Sequence, residues 1–373
     1  MEQNELAKKG VSIHFLNTTF RTEATSYINT TTIDPKTATF YDLEDLQDPI
    51  YGLFRQKGAN ATCPRDGKEG AAYIDCLAGE DKTGPSDYML SYGWGNSVFD
   101  IIDALVDFCE VRNMDMRRTY IWMCCIYNNQ HRLAIEVAEK EKLSFSDAAS
   151  IFRSGVIGIK NVIAFLSPWR KPVYIQRAWC IFELFIAIVN NCNIHLIMPS
   201  REKNSLIKAV CDEGEAPVND ALANIRAENA ACMYRVDKDA IRGFIESGSG
   251  FASVNMTIGS FIRKWGYGVL EEALELAESK SQNVRSDLYL ATVHNGVGRR
   301  RNSLVLLKKA IDIREEVLAE INVATLDSYN NIALVYFIDG DYDMSLKYFN
   351  KIVNRRSIFK FILSNIISFI ICC

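Results

Sequence analysis

The central part of the chain alternates short, fully apolar segments with longer segments of helical periodicity, and this alternation most constrains the possible fold. Apolar runs of strand length occupy residues 88–92, 120–126, 161–166 and 193–198. Between these runs, apolar residues recur at the three- and four-residue spacing of amphipathic helices. Strands that are buried on both faces and separated by helices are typical of a parallel sheet covered on both sides. We therefore predict an α/β domain built on a parallel sheet at residues 81–266.

The regions that flank this domain are less regular. Residues 1–80 contain a Thr-rich stretch and a stretch rich in Gly, Lys and Asp, which predicts a loosely ordered region with a few short elements. Residues 357–373 form an apolar C-terminal segment. Its most apolar stretch, residues 361–373, is shorter than the roughly 20 residues of a membrane-spanning helix. The length favours a helix of an interrupted array, or a chain end without a structural role, over a membrane tail.

Net charge and cysteine content argue against nucleic-acid binding, secretion and a metal site. The net charge of −4 argues against nucleic-acid binding through bulk positive charge. The first residues are polar and lack a secretory signal, and the 11 cysteines are therefore expected as free thiols in the reducing cytoplasm. Cys124 and Cys125 are adjacent and do not form a CxxC pair, so we predict no metal site.

The last hundred residues repeat themselves. An offset of 42 residues places Gly298 on Gly340 and Ser303 on Ser345. Self-similarity at a fixed period indicates stacked helical units. In the second unit, the small residues Ala333 and Ser345 would allow two antiparallel helices to approach closely.

The segment YNNIALVY at residues 329–336, followed by GDY at 340–342, resembles a tetratricopeptide repeat (TPR) of the kinesin-light-chain type. The resemblance implies an all-α TPR-type tail at residues 267–356 that binds protein partners in a groove. Two units are fewer than the three that usually form a stable array. The alternative is therefore a plain helical hairpin that serves as a cap.

One carboxylate is placed unusually within the α/β domain. Glu183 lies in the apolar segment 174–190, which predicts a helix, and Trp179 lies four residues before it on the same helix face. A carboxylate in such a helix must be paired, protonated or at the mouth of a site. An aromatic ring beside a carboxylate suits a planar or cationic ligand.

Three motifs occur in order: LSYGWG at residues 90–95, YIW followed by NQ at 120–130, and RAWCIFEL at 177–184. Together they resemble the LSYxWG, WIDxxCINQ and RxWxxxE motifs of fungal incompatibility (HET) domains. The third motif is also similar to the WCxxEL helix of TIR domains. The resemblance implies a flavodoxin-like parallel sheet. It also implies that the domain associates with itself.

The TIR resemblance further implies cleavage of NAD⁺ at the nicotinamide–ribose bond, with NAD⁺ as substrate and no resident cofactor. Glu183 would be the catalytic residue and would stabilise oxocarbenium-like charge or hold the ribose hydroxyls. Trp179 would form a stacking wall, and Ser91, Gly93 and Trp94 would line the ribose and phosphate side. A cytoplasmic signalling or defence role would follow.

Two alternatives remain open at this point. Glu183 could instead form a structural ion pair with Arg170, Lys171 or Arg177. The domain could also be a non-catalytic adaptor that uses the α/β and TPR modules only for protein–protein interaction. The adaptor hypothesis is motivated by Cys124, which stands where the HET motif has an aspartate.

Overall fold

The computed structural model describes residues 9–44, 52–132, 145–213, 220–221, 225–232, 235–278, 300–318 and 323–354. The chain divides into two compact units, one formed by residues 1–206 with 219–261 and the other by residues 207–218 with 262–373. The predicted C-terminal segment at 357–373 and the repeat position Gly298 lie outside the described residues. Within the described ranges, no helix combines the length and the apolar character needed to cross a bilayer.

A six-stranded sheet forms the centre of the first unit. Its strands, in chain order, are β1 (Lys9–Ser12), β2 (Thr83–Pro85), β3 (Tyr88–Ser91), β4 (Tyr120–Trp122), β5 (Asn161–Phe165) and β6 (Asn193–Ile197). Across the sheet they lie in the order β2-β1-β4-β3-β5-β6. Strands β4, β3, β5 and β6 are mutually parallel, whereas β1 runs antiparallel to both β2 and β4.

The four predicted apolar runs supply the four parallel strands. Their order, β4-β3-β5-β6, reverses direction between β3 and β5 as in doubly wound sheets. The sheet as a whole is mixed, however, so the prediction of a purely parallel, flavodoxin-like sheet is corrected by the antiparallel strands β1 and β2. Strand β1 has four residues and contains Gly10, and β2 has three residues and contains Gly84 and Pro85. Because glycine and proline are uncommon in strands, neither segment has a recognisable strand pattern in the sequence.

The segment predicted to be loosely ordered is a structural part of this unit where it is described. Its helical segments are Ile13–Phe15, Leu16–Phe20 (a π-helix), Arg21–Ile28, Phe40–Leu43, Leu53–Gly58 and Tyr73–Cys76 (a 3-10 turn). Phe15, Phe20, Phe40 and Phe54 are buried and share one hydrophobic core with residues of the helix Val98–Val111. Because these aromatic residues lie on several short elements, they produce no regular period in the sequence.

Helices alternate with the strands largely as the sequence predicts. The helices Val98–Val111, Phe145–Ile159 and Ala178–Val189 alternate with the parallel strands, and Ala178–Val189 begins four residues later than the predicted segment 174–190, after a 3-10 turn at Tyr174–Gln176. Further along the chain are the helices Ser200–Glu213, Arg235–Ser247 and Gly250–Glu278, with a 3-10 turn at Ala227–Asn229. The predicted strand 120–126 ends at Trp122, and Cys124–Tyr127 instead forms one helical turn. A continuous apolar run does not distinguish a buried strand from a buried helical turn, which explains the difference.

In the second unit the described repeat region consists of helices Arg300–Leu318, Val323–Ile338 and 342–354. Its small core includes Leu307, Ile311, Tyr329, Ile332 and Ile352. The two predicted small residues, Ala333 and Ser345, are both buried in this region. The repeat region thus buries small side chains at the two positions where the repeat pattern expects them.

Candidate functional site

The candidate site lies where the strand order of the sheet reverses. Ser91 ends β3, and the loop that follows it, residues 92–97, we call the β3 loop. The Asn96 side chain accepts a hydrogen bond from the Gly93 backbone N–H (3.2 Å) and donates one to the Ser167 carbonyl (3.0 Å). These bonds join the β3 loop to the segment after β5. In doubly wound sheets, ligands bind outside the carboxyl ends of the strands at this reversal.

Glu183 and Ser91 meet at this edge of the sheet. Glu183 is on the helix Ala178–Val189, which we call the Glu183 helix, and its side chain is 6% exposed. The Ser91 hydroxyl donates a hydrogen bond to Glu183 Oε2, and the Tyr174 hydroxyl lies 2.8 Å from the same Ser91 oxygen. Since Ser91 donates to Glu183, its oxygen can accept from Tyr174. The three side chains thus form a continuous chain of hydrogen bonds.

The charge of Glu183 is governed by its burial. Burial raises the pKa of Glu183 to about 8, and the hydrogen bond from Ser91 opposes this rise. None of the lysines or arginines in the described ranges lies within ion-pair distance of its carboxylate. The alternative ion pair with Arg170, Lys171 or Arg177 is therefore not formed. Burial therefore favours the protonated form of the Glu183 carboxyl.

Two thiols close to Glu183 are kept in their neutral form. Burial raises the pKa of Cys124 to about 11, and the Glu183 carboxylate adds to that rise. Burial, and then Glu183, also raises the pKa of Cys180 well above its usual value. A thiolate is the reactive form of cysteine, so neither residue is poised as a nucleophile. Within the described ranges, no three His, Cys, Asp or Glu side chains are placed to hold a metal ion.

Trp179 makes its described contacts with two neighbouring helices. Its ring centroid lies 4.7 Å from that of Phe152 and 5.9 Å from that of Phe182. The indole Nε1 donates a hydrogen bond to Asp237 Oδ2 at 3.2 Å. Phe152 and Asp237 belong to the helices Phe145–Ile159 and Arg235–Ser247. Since these contacts hold the ring against other helices, the stacking role of Trp179 toward a ligand stays a prediction.

Gly93 and Trp94 are placed in the β3 loop beside the segment that precedes the Glu183 helix. A Cβ atom at Gly93 would lie 2.9 Å from Val173 Cγ1 and 3.6 Å from Arg177 Cγ, so a side chain would crowd this position. The Trp94 ring centroid is 5.7 Å from that of Tyr41. The loop is therefore packed between the N-terminal region and the Glu183 helix.

Sequence reasoning missed Tyr41 and Tyr174 of this cluster and considered Arg177 only as an ion-pair partner of Glu183. Arg177 is the first residue of the RxWxxxE motif, and that motif could have placed it in the site instead of only among ion-pair partners. Tyr174 falls in the apolar segment before the Glu183 helix and gives no distinct signal. Tyr41 comes from the N-terminal region, whose irregular pattern offered no signal.

Comparison with known proteins identifies the tail. Residues 283–357 match the family model of the tetratricopeptide repeat, which confirms the predicted TPR tail. No curated protein and no solved structure matches the chain. The chain thus combines an α/β domain on a mixed sheet with a C-terminal TPR tail, a type of repeat associated with protein–protein interaction.

Proposed function

We propose that this chain is an intracellular signalling or defence protein whose α/β domain hydrolyses NAD⁺ at the nicotinamide–ribose bond and whose TPR tail binds protein partners. One observation carries the enzymatic part of the proposal. Glu183 is a buried carboxyl without a cationic partner among the described residues, and Ser91 holds it at the carboxyl edge of the parallel strands. Buried titratable groups in such positions are candidates for catalytic roles.

The chemistry of the bond explains why a carboxylate without a cation is useful. Cleavage between nicotinamide and ribose builds positive charge at the anomeric carbon, as glycoside hydrolysis does. The nicotinamide ring of NAD⁺ is itself cationic, and an opposite charge close to Glu183 lowers the pKa of its carboxyl. Binding of NAD⁺ would thereby ionise Glu183. The resulting carboxylate would stabilise the oxocarbenium-like transition state.

The reaction balances with water as the second substrate. The bond between the nicotinamide nitrogen and the anomeric carbon breaks, and its electron pair leaves with nicotinamide. A water oxygen bonds to the anomeric carbon and loses a proton, so the products are nicotinamide, ADP-ribose and H⁺. Ser91 would keep the Glu183 carboxylate oriented through its hydrogen bond. Self-association of the α/β domain would be expected to raise this activity.

A second candidate is the non-catalytic adaptor, which another observation favours. Ser91 is only 1% exposed and Glu183 only 6%, and the Trp179 indole is engaged by Asp237 and Phe152. In an adaptor, the hydrogen-bonded chain from Tyr174 to Glu183 would serve only to hold the Glu183 helix against β3. The TPR tail would recruit partners in the same way.

The test is NAD⁺ consumption by the purified chain at high protein concentration, with released nicotinamide measured directly. We expect wild type to release nicotinamide and Glu183→Gln to be slower by roughly a hundredfold or more. Glutamine keeps the shape and an oxygen acceptor for Ser91 but cannot carry the negative charge. Glu228→Gln is the control, because the Glu228 carboxylate bonds to Asn255 and Arg226 and to none of Ser91, Tyr174 and Glu183.

The outcome decides between the two candidates. Turnover by wild type and by Glu228→Gln, together with its loss in a folded Glu183→Gln variant, would support the enzyme. An assembled wild-type protein that leaves NAD⁺ intact would favour the adaptor.

A further inference from the structure

The last described helix of the TPR tail, residues 342–354, carries an apolar stripe that faces solvent. Tyr342, Leu346 and Val353 are 63%, 60% and 59% exposed, and Phe349 between them is half-buried. These residues are spaced by four, three and four positions, so they lie along one side of the helix. We call them the Tyr342 stripe.

The exposed apolar surface continues onto the preceding helix. Phe337 and Ile338, at the end of the helix Val323–Ile338, are both more than half exposed. The Phe337 ring centroid lies 5.5 Å from that of Tyr342, so the two helices share this surface. Exposed apolar side chains that are contiguous, unlike scattered ones, mark an interaction surface.

The Tyr342 stripe is complementary to itself. Its spacing of four, three and four positions is the same in both directions along the helix. Antiparallel pairing with a second copy therefore places Tyr342 against Val353 of that copy, and Leu346 against its Phe349. Alternating spacings of three and four are those by which paired helices pack in coiled coils. In a symmetric dimer, each contact occurs twice, which such a stripe permits.

The charges of this helix favour the same antiparallel arrangement. Asp341 and Asp343 are exposed at its start, and Lys347 and Lys351 lie in the turns that follow. Antiparallel pairing brings the acidic start of each helix beside the lysine-bearing part of the other. It also sets the two helix dipoles in opposite directions. A parallel pair would instead place like charges side by side.

From these observations we infer that the chain forms a symmetric dimer through antiparallel pairing of its 342–354 helices. A second copy of this chain thus covers the Tyr342 stripe and supplies the helical neighbour that an array of two units lacks. The surface is small beside a standard interface of about 20–30 residues a side, so we expect assembly at micromolar concentration. This contact lies outside the α/β domain and does not rest on hydrolysis of NAD⁺.

The first measurement is sedimentation velocity of the whole chain between about 1 and 100 μM. We expect the mass of wild type to rise from that of the 42.2 kDa monomer toward twice that value. Leu346→Glu should weaken association at least about tenfold, because it buries a charge in the stripe of both copies. Val305→Glu is the matched control, since Val305 is 66% exposed in the helix Arg300–Leu318 of the same tail and lies outside the stripe. Circular dichroism checks that both variants are folded.

The second measurement tests the antiparallel orientation by disulfide formation. A mixture of Tyr342→Cys and Val353→Cys proteins should form a disulfide between the new cysteines under mild oxidation. Tyr342→Cys alone should not, because its two copies would be separated by the helix length between residues 342 and 353, about 16 Å. A disulfide requires Cα atoms within about 7 Å. Mass spectrometry of the linked peptides distinguishes these bonds from those of the native cysteines.

Loss of the dimer in Leu346→Glu but not in Val305→Glu, together with the mixed disulfide, would support the inference. A wild type that stays monomeric over the whole range would overturn it, whether residues 361–373 or another protein cover the stripe. Equal association of wild type and Leu346→Glu would also overturn it and assign assembly to another surface, such as the α/β domain. A disulfide formed by Tyr342→Cys alone, and not by the mixture, would reject the antiparallel pairing.

Discussion

The Ser91 hydroxyl donates a hydrogen bond to the Glu183 carboxylate, although the two residues are 92 positions apart in the chain. The bond joins the end of β3 to the middle of the Glu183 helix. The Tyr174 hydroxyl reaches the same serine oxygen at 2.8 Å and adds a third element to the connection. The protonation state of Glu183 therefore depends on a hydrogen bond that exists only when the Glu183 helix packs against the end of β3.

Replacing Ser91 by alanine should raise the pKa of Glu183 above its value of about 8. The reason is that the serine hydrogen bond favours the charged carboxylate, and alanine cannot donate it. The loss also removes a partner of the buried Tyr174 hydroxyl, so the free energy of unfolding should fall by about 1–3 kcal/mol. Infrared titration of the carboxyl C=O band measures the pKa, and chemical denaturation measures the stability.

Tyr174→Phe is the control for this prediction, because it leaves the hydrogen bond from Ser91 to Glu183 in place. The pKa of Glu183 should change less in this variant than in Ser91→Ala. An unchanged pKa in Ser91→Ala would show that the serine does not bond to Glu183 in solution.

Glu183 should also make the stability of the protein depend on pH. Its pKa is about 8 in the folded chain and about 4.3 in an unfolded chain, so the folded state binds more protons between these values. The stabilising contribution of the protonated carboxyl is therefore fully present below about pH 4.3 and is lost as pH rises through about 8. Within this window, stability should fall by up to about 1.4 kcal/mol per pH unit.

The measurement is the free energy of unfolding of wild type and of Glu183→Gln at several values between pH 5 and pH 8. The difference between the two proteins isolates the contribution of Glu183. Glutamine does not titrate, so the variant should gain stability relative to wild type as pH increases. A difference that is constant with pH would mean that Glu183 is ionised in the folded protein.

The buried pair of Glu44 and Arg55 tests whether the N-terminal region belongs to the core of the first unit. Both side chains are almost fully inaccessible, and Glu44 also accepts a hydrogen bond from the Phe54 N–H at 3.0 Å. Burial raises the pKa of Glu44, and the bonds from Arg55 oppose this rise. Arg55→Met should lower the free energy of unfolding by about 3–5 kcal/mol, because it leaves a buried charge without its partner.

The double variant Glu44→Gln/Arg55→Met should recover part of that loss, since it removes both charges together. Chemical denaturation of the three proteins gives the comparison. A stability of Arg55→Met within about 0.5 kcal/mol of wild type would be expected only if this pair were on a solvated surface.

Gly340 should be required in the turn between the last two described helices of the TPR tail. Its φ of +83° is strained for any residue with a side chain, even though nothing lies within 4 Å of an added Cβ atom. Gly340→Ala should therefore lower the stability of the tail by about 1–2 kcal/mol. Thermal unfolding followed by circular dichroism is the measurement.

Gly268→Ala is the matched control for Gly340. Gly268 lies in the helix Gly250–Glu278, and it also has nothing within 4 Å of an added Cβ atom. Alanine there should stabilise the protein by about 0.4–1 kcal/mol, because it restricts the unfolded chain without strain in the folded one. If Gly340→Ala and Gly268→Ala changed the stability equally, the positive φ of Gly340 could not be the reason for its effect.

Local pattern alone predicted several parts of the fold. The apolar runs at residues 88–92, 161–166 and 193–198 became strands β3, β5 and β6, because parallel strands covered by helices are mostly apolar. The TPR tail was also predicted, because stacked helices repeat the same small and large residues at the same spacing. The motifs likewise led to Ser91 and Glu183 as candidates before any contact between them was known.

Tertiary structure alone decided how these pieces meet. It added β1 and β2 as antiparallel neighbours, brought Tyr41 to the site from a region without a clear pattern, and turned the Trp179 indole toward Asp237. It also left Glu183 bonded to Ser91 and unpaired with any described cation, which no spacing along the sequence specifies. Periodicity records which face of an element is buried, but the partner of a buried polar group depends on contacts between residues far apart in the chain.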